Sequence, residues 1–197
     1  MRISPVEILE AETLREIARV CEERQDQTEG EVETTEVFDF APLEGPVKEV
    51  LAEMNVTDSF EEVMPCTPLQ DAMLLETAVD PAAYNNFVEL RVEGGMDPDR
   101  IMQALGELVE HNPVLRTGFV ECESEWSAFT MVVWPKLDQG QIVVVASDDE
   151  ETSAGLEMLR PLRMRVRVFE DHALVRWDIH HALYDGWALE LVVKDLE

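Results

Sequence analysis

Hydrophobic positions change their spacing several times along the chain, and each change marks an element. From Val6 to Glu23, the residues Ile8, Leu9, Leu14, Ile17, Ala18 and Cys21 recur at near-helical intervals. Thr13, with Glu16 three residues on, has the form of a capping box, which predicts a short turn and then a helix of about three turns. Between Glu22 and Glu36 the pattern gives way to Glu, Gln, Asp and Thr, the composition of a solvated, extended linker. From Val37 to Val63 isolated hydrophobics sit among Pro42, Gly45 and Pro46, with a short helix predicted over Pro46 to Met54 and irregular chain elsewhere.

A globular pattern starts at Pro65. Thr67-Pro68-Leu69-Gln70 reads as an N-cap with proline at the first helical position, ahead of Ala72, Met73, Leu74 and Leu75. Asn86 to Val92 alternates as a strand. Asp97-Pro98 opens a helix with an apolar stripe of Ile101, Leu105, Leu108 and Val109, and Asn112-Pro113 stops it. Val114 to Glu121, Ala128 to Trp134 and Ile142 to Ala146 are further strands, and Asp148 to Glu157 is an acidic loop or helix start. Leu162 to Phe169 and Ala173 to Ile179 flank Glu170-Asp171 as a hairpin, and Trp187 to Leu196 closes the chain as a helix. This order of helices and strands predicts an α+β layered fold without internal repeats.

Composition narrows the function classes. With 46% hydrophobic residues a packed core is within reach. The formal charge of −28 repels phosphate backbones and anionic membrane surfaces, so neither nucleic acid nor membrane is an expected partner. The apolar runs fall short of a membrane span, and the first residues lack the apolar core of a secretory leader. Cys21, Cys66 and Cys122 lie far apart without metal-type spacing and read as reduced thiols, so a cytoplasmic protein is expected.

The chemistry concentrates in His180-His181-Ala182-Leu183-Tyr184-Asp185-Gly186, where a strand ends and a helix begins. Strand alternation places Val175, Trp177, Ile179 and His181 on one face and Arg176, Asp178 and His180 on the other. His181 is then in register with the buried side, where a neutral imidazole can accept a proton. Asp185 could orient a ring or neutralise a buried arginine, and Gly186 would expose a backbone N–H at a helix start. His180, His181 and Asp185 are all possible metal ligands, but neighbouring strand residues point oppositely, so no metal is expected.

These seven residues resemble the HHxxxDG signature of condensation domains of nonribosomal peptide synthetases. Pro65 to Met73 is similar to that family's opening motif. His111-Asn112-Pro113-Val114-Leu115-Arg116-Thr117-Gly118-Phe119 is similar to its helix-to-strand motif, in wording closest to the fungal, siderophore-type synthetases. The resemblance runs from about Glu61 to the C-terminus. It implies a chloramphenicol-acetyltransferase-like lobe, a mixed sheet with packed helices, and formation of an amide bond between a carrier-bound acyl thioester and an amine. No cofactor would bind directly, because phosphopantetheine is delivered by partner carrier domains. His181 would be the catalytic residue, as general base or by positioning the amine, and Gly186 would help shape the oxyanion site. His180, Asp185 and Arg116 would be structural, with Asp185 paired to Arg116.

Residues 3–18 resemble more weakly the last helices of a peptidyl-carrier domain. The expected organisation is therefore carrier-like helices over 1–24, an acidic linker over 25–60 and the N-terminal lobe over 61–197. Against the family pattern the chain ends eleven residues after Gly186, so the C-terminal lobe is expected to be a missing partner and the chain alone inactive. The alternatives are a stand-alone thioester-dependent acyltransferase of the same superfamily and a non-catalytic module that binds carriers.

Overall fold

The computed structural model describes Thr13 and residues 39–196, apart from 96, 123, 139 and 147–155. The predicted helix near Thr13 and the acidic stretches 22–36 and 148–155 lie outside the described residues, as does Cys21. Asp39 to Glu197 clusters as one compact unit.

The chain enters through a 3₁₀ turn, Ala41–Leu43, into helix α1, Glu44–Glu53. Strand β1 (Glu62–Pro65) leads to helix α2 (Pro68–Val79), strand β2 (Asn85–Glu93) and helix α3 (Pro98–His111). A second 3₁₀ turn, Pro113–Arg116, precedes β3 (Thr117–Glu121), β4 (Phe129–Val133) and β5 (Ile142–Val145). The hairpin strands β6 (Leu162–Val168) and β7 (His172–His180) end in a third turn, His181–Leu183, and helix α4, Gly186–Lys194.

Two sheets result. The smaller has the order β1-β4-β3 and is antiparallel throughout, whereas the larger, β2-β7-β6-β5, is mixed because β5 runs parallel to β6. The apolar stripe of α3 packs with Met164, Val166, Val175, Trp177 and Ile179 into the main core. Alternation along β3 and β4 splits the smaller sheet between two cores. Phe119 and Phe129 face the main core, while Val120 and Val132 face a second one built on α1.

That second core corrects the predicted linker. Leu43, Val47 and Leu51 form a stripe at four-residue spacing, and all three are buried against Val63, Val120, Val132 and Trp134. The segment from Asp39 onward therefore belongs to the lobe. Its prolines mark entries into helical turns rather than breaks, since the 3₁₀ turn carries proline at its start.

Gly118 is required by a close approach. A Cβ there would overlap the carbonyl oxygen of Leu159 and meet Trp134 Nε1 at 2.9 Å. The passing chain hydrogen-bonds β3 through Phe119 N–H to Met158 O (2.8 Å), and Trp134 Nε1–H donates to Leu159 O (2.9 Å).

Candidate active site

The end of β7 carries the site. Asn85 of β2 lies opposite His180 in the ladder, and one residue further the His181 N–H donates to Tyr84 O at 2.9 Å. Tyr84 adopts φ of 57°, a left-handed conformation rare for a bulky side chain, at the end of the turn that opens β2. Beyond this point the backbone tightens into the His181–Leu183 turn, and α4 starts under an Asp185 cap, with Ala188 N–H donating to Asp185 Oδ1 at 2.6 Å.

The two adjacent imidazoles have different surroundings. His180 is fully buried, on the side facing α2. Its Nδ1 accepts the Ala182 N–H at 3.1 Å, so in the neutral ring the proton sits on Nε2 and is donated to Thr77 Oγ1 at 2.8 Å. The Thr77 hydroxyl donates in turn to the carbonyl of Met73 (2.8 Å) or Ala83 (3.1 Å). Burial, with a smaller contribution from the neighbouring His181, lowers the His180 pKa from 6.5 to about 4, so the ring is neutral at physiological pH.

His181 is half-buried. Its Nδ1 lies 2.9 Å from Tyr184 O. A carbonyl only accepts, so in the neutral ring Nδ1 holds the proton and Nε2 keeps its lone pair. The Tyr184 ring stacks on the imidazole, with centroids 4.7 Å apart and planes inclined by 23°. Strand parity had put His181 with the buried residues, but the turn carries it toward the edge, and His180 is the imidazole that burial keeps neutral.

The expected pair between Asp185 and Arg116 is not formed. Asp185 is exposed and spends a carboxylate oxygen on the Ala188 N–H. Arg116 Nη1 donates instead to Glu61 Oε2 at 2.5 Å and to the Trp134 carbonyl. Trp134 directly follows β4, the strand that pairs with β3, and its N–H donates to Arg116 O, so Arg116 is held at the edge of the smaller sheet. Gly186 stands exposed at the first position of α4, where a Cβ would meet nothing within 4 Å.

Several side chains that had no expected role at the site complete the arrangement. Gln70, partner of Thr67 in a reciprocal capping box, also donates Nε2–H to Ala182 O at 2.9 Å. Asn86 donates to the Tyr184 hydroxyl at 3.0 Å. Thr77, beneath His180, falls in a helix where only the apolar spacing drew notice. Tyr184 lay inside the seven-residue motif but was passed over for its acidic and basic neighbours. Cys66 and Cys122 are free and buried, and burial above all, with Asp71 nearby, pushes the Cys66 thiol up to about 12, so it is no nucleophile at neutral pH. Among the described residues no helix is long and apolar enough to cross a membrane, and no group of three metal-binding side chains gathers.

A neutral imidazole presenting a lone pair at a strand end, beside a capped helix start, can accept a proton. Solved structures share this fold. The lobe superposes on the starter condensation domain of rhizomide synthetase with a TM-score of 0.56 at 13% identity, covering 69% of this chain and 36% of that one. The condensation domain from the Monacolin K polyketide synthase MokA matches with a TM-score of 0.56 at 18% identity, over 71% of this chain and 34% of that one. Curated relatives are similar over nearly the whole sequence. Nonribosomal peptide synthetase 2 of Cochliobolus heterostrophus is 32% identical, covering 99% of this chain and 4% of that protein. Nonribosomal peptide synthetase sidC of Arthroderma benhamiae is 30% identical, covering 98% and 4%. The condensation-domain family model matches residues 60–197, and the chain belongs to that family. It spans about 4% of the length of these relatives.

Proposed function

We propose that the chain is the N-terminal lobe of an amide-forming condensation domain in which His181 is the working residue. The observation that carries this reading is the commitment of His181 Nδ1 to the Tyr184 carbonyl, which leaves Nε2 as the acceptor. His181 Nε2 accepts a hydrogen bond from the attacking amine and takes its proton as the new C–N bond forms. The thioester C–S bond then breaks, and the proton passes from His181 to the departing thiolate. Gly186 N–H, at a helix start without an intrahelical partner, faces the developing oxyanion. The absence of any neighbour where its Cβ would point supports close approach of substrate there.

The substrates in this reading are acyl groups carried on phosphopantetheine arms of peptidyl-carrier domains. The C-terminal lobe of the domain completes the cleft. Leu69 (66% exposed) of α2 and Trp187 (72% exposed) of α4 are large apolar side chains that water would otherwise meet, and they suit such a cover. The test is condensation of two carrier-bound acyl groups by the domain completed with its second lobe. His181→Ala lowers turnover by at least about a hundredfold if the residue handles the proton. Unchanged turnover sinks the assignment, and carrier binding without turnover in the unaltered protein would identify a binding module instead.

A further inference from the structure

Any residue at position 184 would supply the carbonyl that holds His181 Nδ1, so that bond does not explain a tyrosine there. The side chain makes two further contacts. Its ring lies over the imidazole at 4.7 Å, and its hydroxyl accepts a hydrogen bond from Asn86 Nδ2 at 3.0 Å. Asn86 pairs in register with Ile179, so the two share one face of the larger sheet, two residues before the turn residue His181. Asn86 also follows directly on Asn85, which closes the ladder opposite His180. The Asn86 backbone is therefore held by the sheet, while Tyr184 sits in a short extended link between two helical turns.

We propose that Tyr184 and Asn86 are positioning residues for His181: Asn86 anchors the Tyr184 ring, and the anchored ring holds the imidazole against the Tyr184 carbonyl with its proton on Nδ1. The Asn86 amide lies too far along the chain to be a local turn device, and its partner is the side chain stacked on His181. Loss of the ring frees the imidazole to rotate away from the carbonyl, and the proton then redistributes to Nε2, which removes the acceptor. The proposal deepens the reading of His181 as the working imidazole and rests on it for its catalytic meaning.

The experiment is ¹⁵N spectroscopy of the His181 ring in the 197-residue chain at neutral pH, where the two tautomers give distinct shifts. In the unaltered chain Nδ1 carries the proton. Tyr184→Leu, which keeps the backbone carbonyl, moves the tautomer ratio toward Nε2–H by about fivefold, the effect of one ordinary hydrogen bond. Tyr184→Phe and Asn86→Ala delete opposite ends of the same contact, so they give equal, smaller shifts, and the double variant shifts no further. These two milder variants keep the ring or the turn intact and carry the test if Tyr184→Leu does not fold. An unmoved tautomer ratio in the folded variants, or additive shifts in the double variant, overturns the proposal. Turnover in the completed domain separates it from the functional reading. A shifted tautomer with a lowered kcat and unchanged KM supports both, whereas a shifted tautomer with unchanged kcat upholds the positioning and removes His181 from the chemistry.

Discussion

Acid should unfold this lobe partly through one imidazole, His180. The unfolded chain protonates it near pH 6.5, whereas the folded chain does so only at about 4, because the ring is fully buried and both its nitrogens are committed. The folded pKa lies below the unfolded one, so the unfolded state binds more protons between these values. The His180 contribution is complete above pH 6.5 and is lost as the pH falls toward 4. The window corresponds to about 3 kcal/mol in all, of which about 2 kcal/mol is gone by pH 5. Acidification also protonates carboxylates on a chain of formal charge −28, which relieves repulsion and obscures the signal in a single protein. The assay is therefore a difference: urea unfolding at pH 7.5 and pH 5 for the unaltered chain and for His180→Gln. The variant is less stable at pH 7.5, but it should lose about 2 kcal/mol less on acidification. Equal losses refute the reasoning. A second measurement is the ring-proton titration of His180 in the folded protein, where a midpoint near 6.5 would refute it equally.

Three further outcomes follow from the packing. Gly118→Ala forces a methyl group into the Leu159 backbone and should cost about 2 kcal/mol or more, seen as a large fall in Tm, because the Leu159 backbone and the buried Trp134 indole leave it no room. Leu51→Ala, at a position only 3% exposed, should cost about 3 kcal/mol in urea unfolding, whereas a residue in a free linker would cost under about 0.5 kcal/mol. Asp185→Ala should cost about 1 kcal/mol through the lost helix cap. Its coupling to Arg116→Ala in a double-mutant cycle should stay below about 0.5 kcal/mol, and a larger coupling would restore the ion pair that the structure lacks.

What the sequence disclosed and what it withheld divide along the range of the interactions involved. The cap of α2 at Thr67, the buried stripe of α3 and the β6–β7 hairpin are each encoded in one continuous short segment, and local spacing was enough to find them. Strand β1 is four residues, Glu62–Pro65, ending in proline, and only its pairing with the distant β4 makes it a strand. The predicted strand from Val114 begins instead at Thr117, because Pro113 starts a 3₁₀ turn that carries the chain to Arg116. The spacing of Leu43, Val47 and Leu51 was present in plain view, but the surrounding Pro and Gly residues outweighed it. At the site, parity alone separated His180 from His181. The partners Thr77 and Asn86 come from other elements, and no pattern near the motif announces them.

Why two histidines should stand side by side follows from the turn between them and α4. Ala182 has both its backbone groups bound: its N–H to His180 Nδ1 and its carbonyl to Gln70 Nε2. The turn that carries His181 is thus pinned from beneath by a neutral imidazole and from the side by a helix cap. A protonated His180 would turn an N–H toward the Ala182 N–H, replacing an attraction with a repulsion. An asparagine at 180 could accept from Ala182, but its shorter side chain would not also span to Thr77, so the turn would lose its tie to α2. The buried histidine is the residue that satisfies both ends, and the turn that starts directly after it carries the next imidazole to the Tyr184 carbonyl.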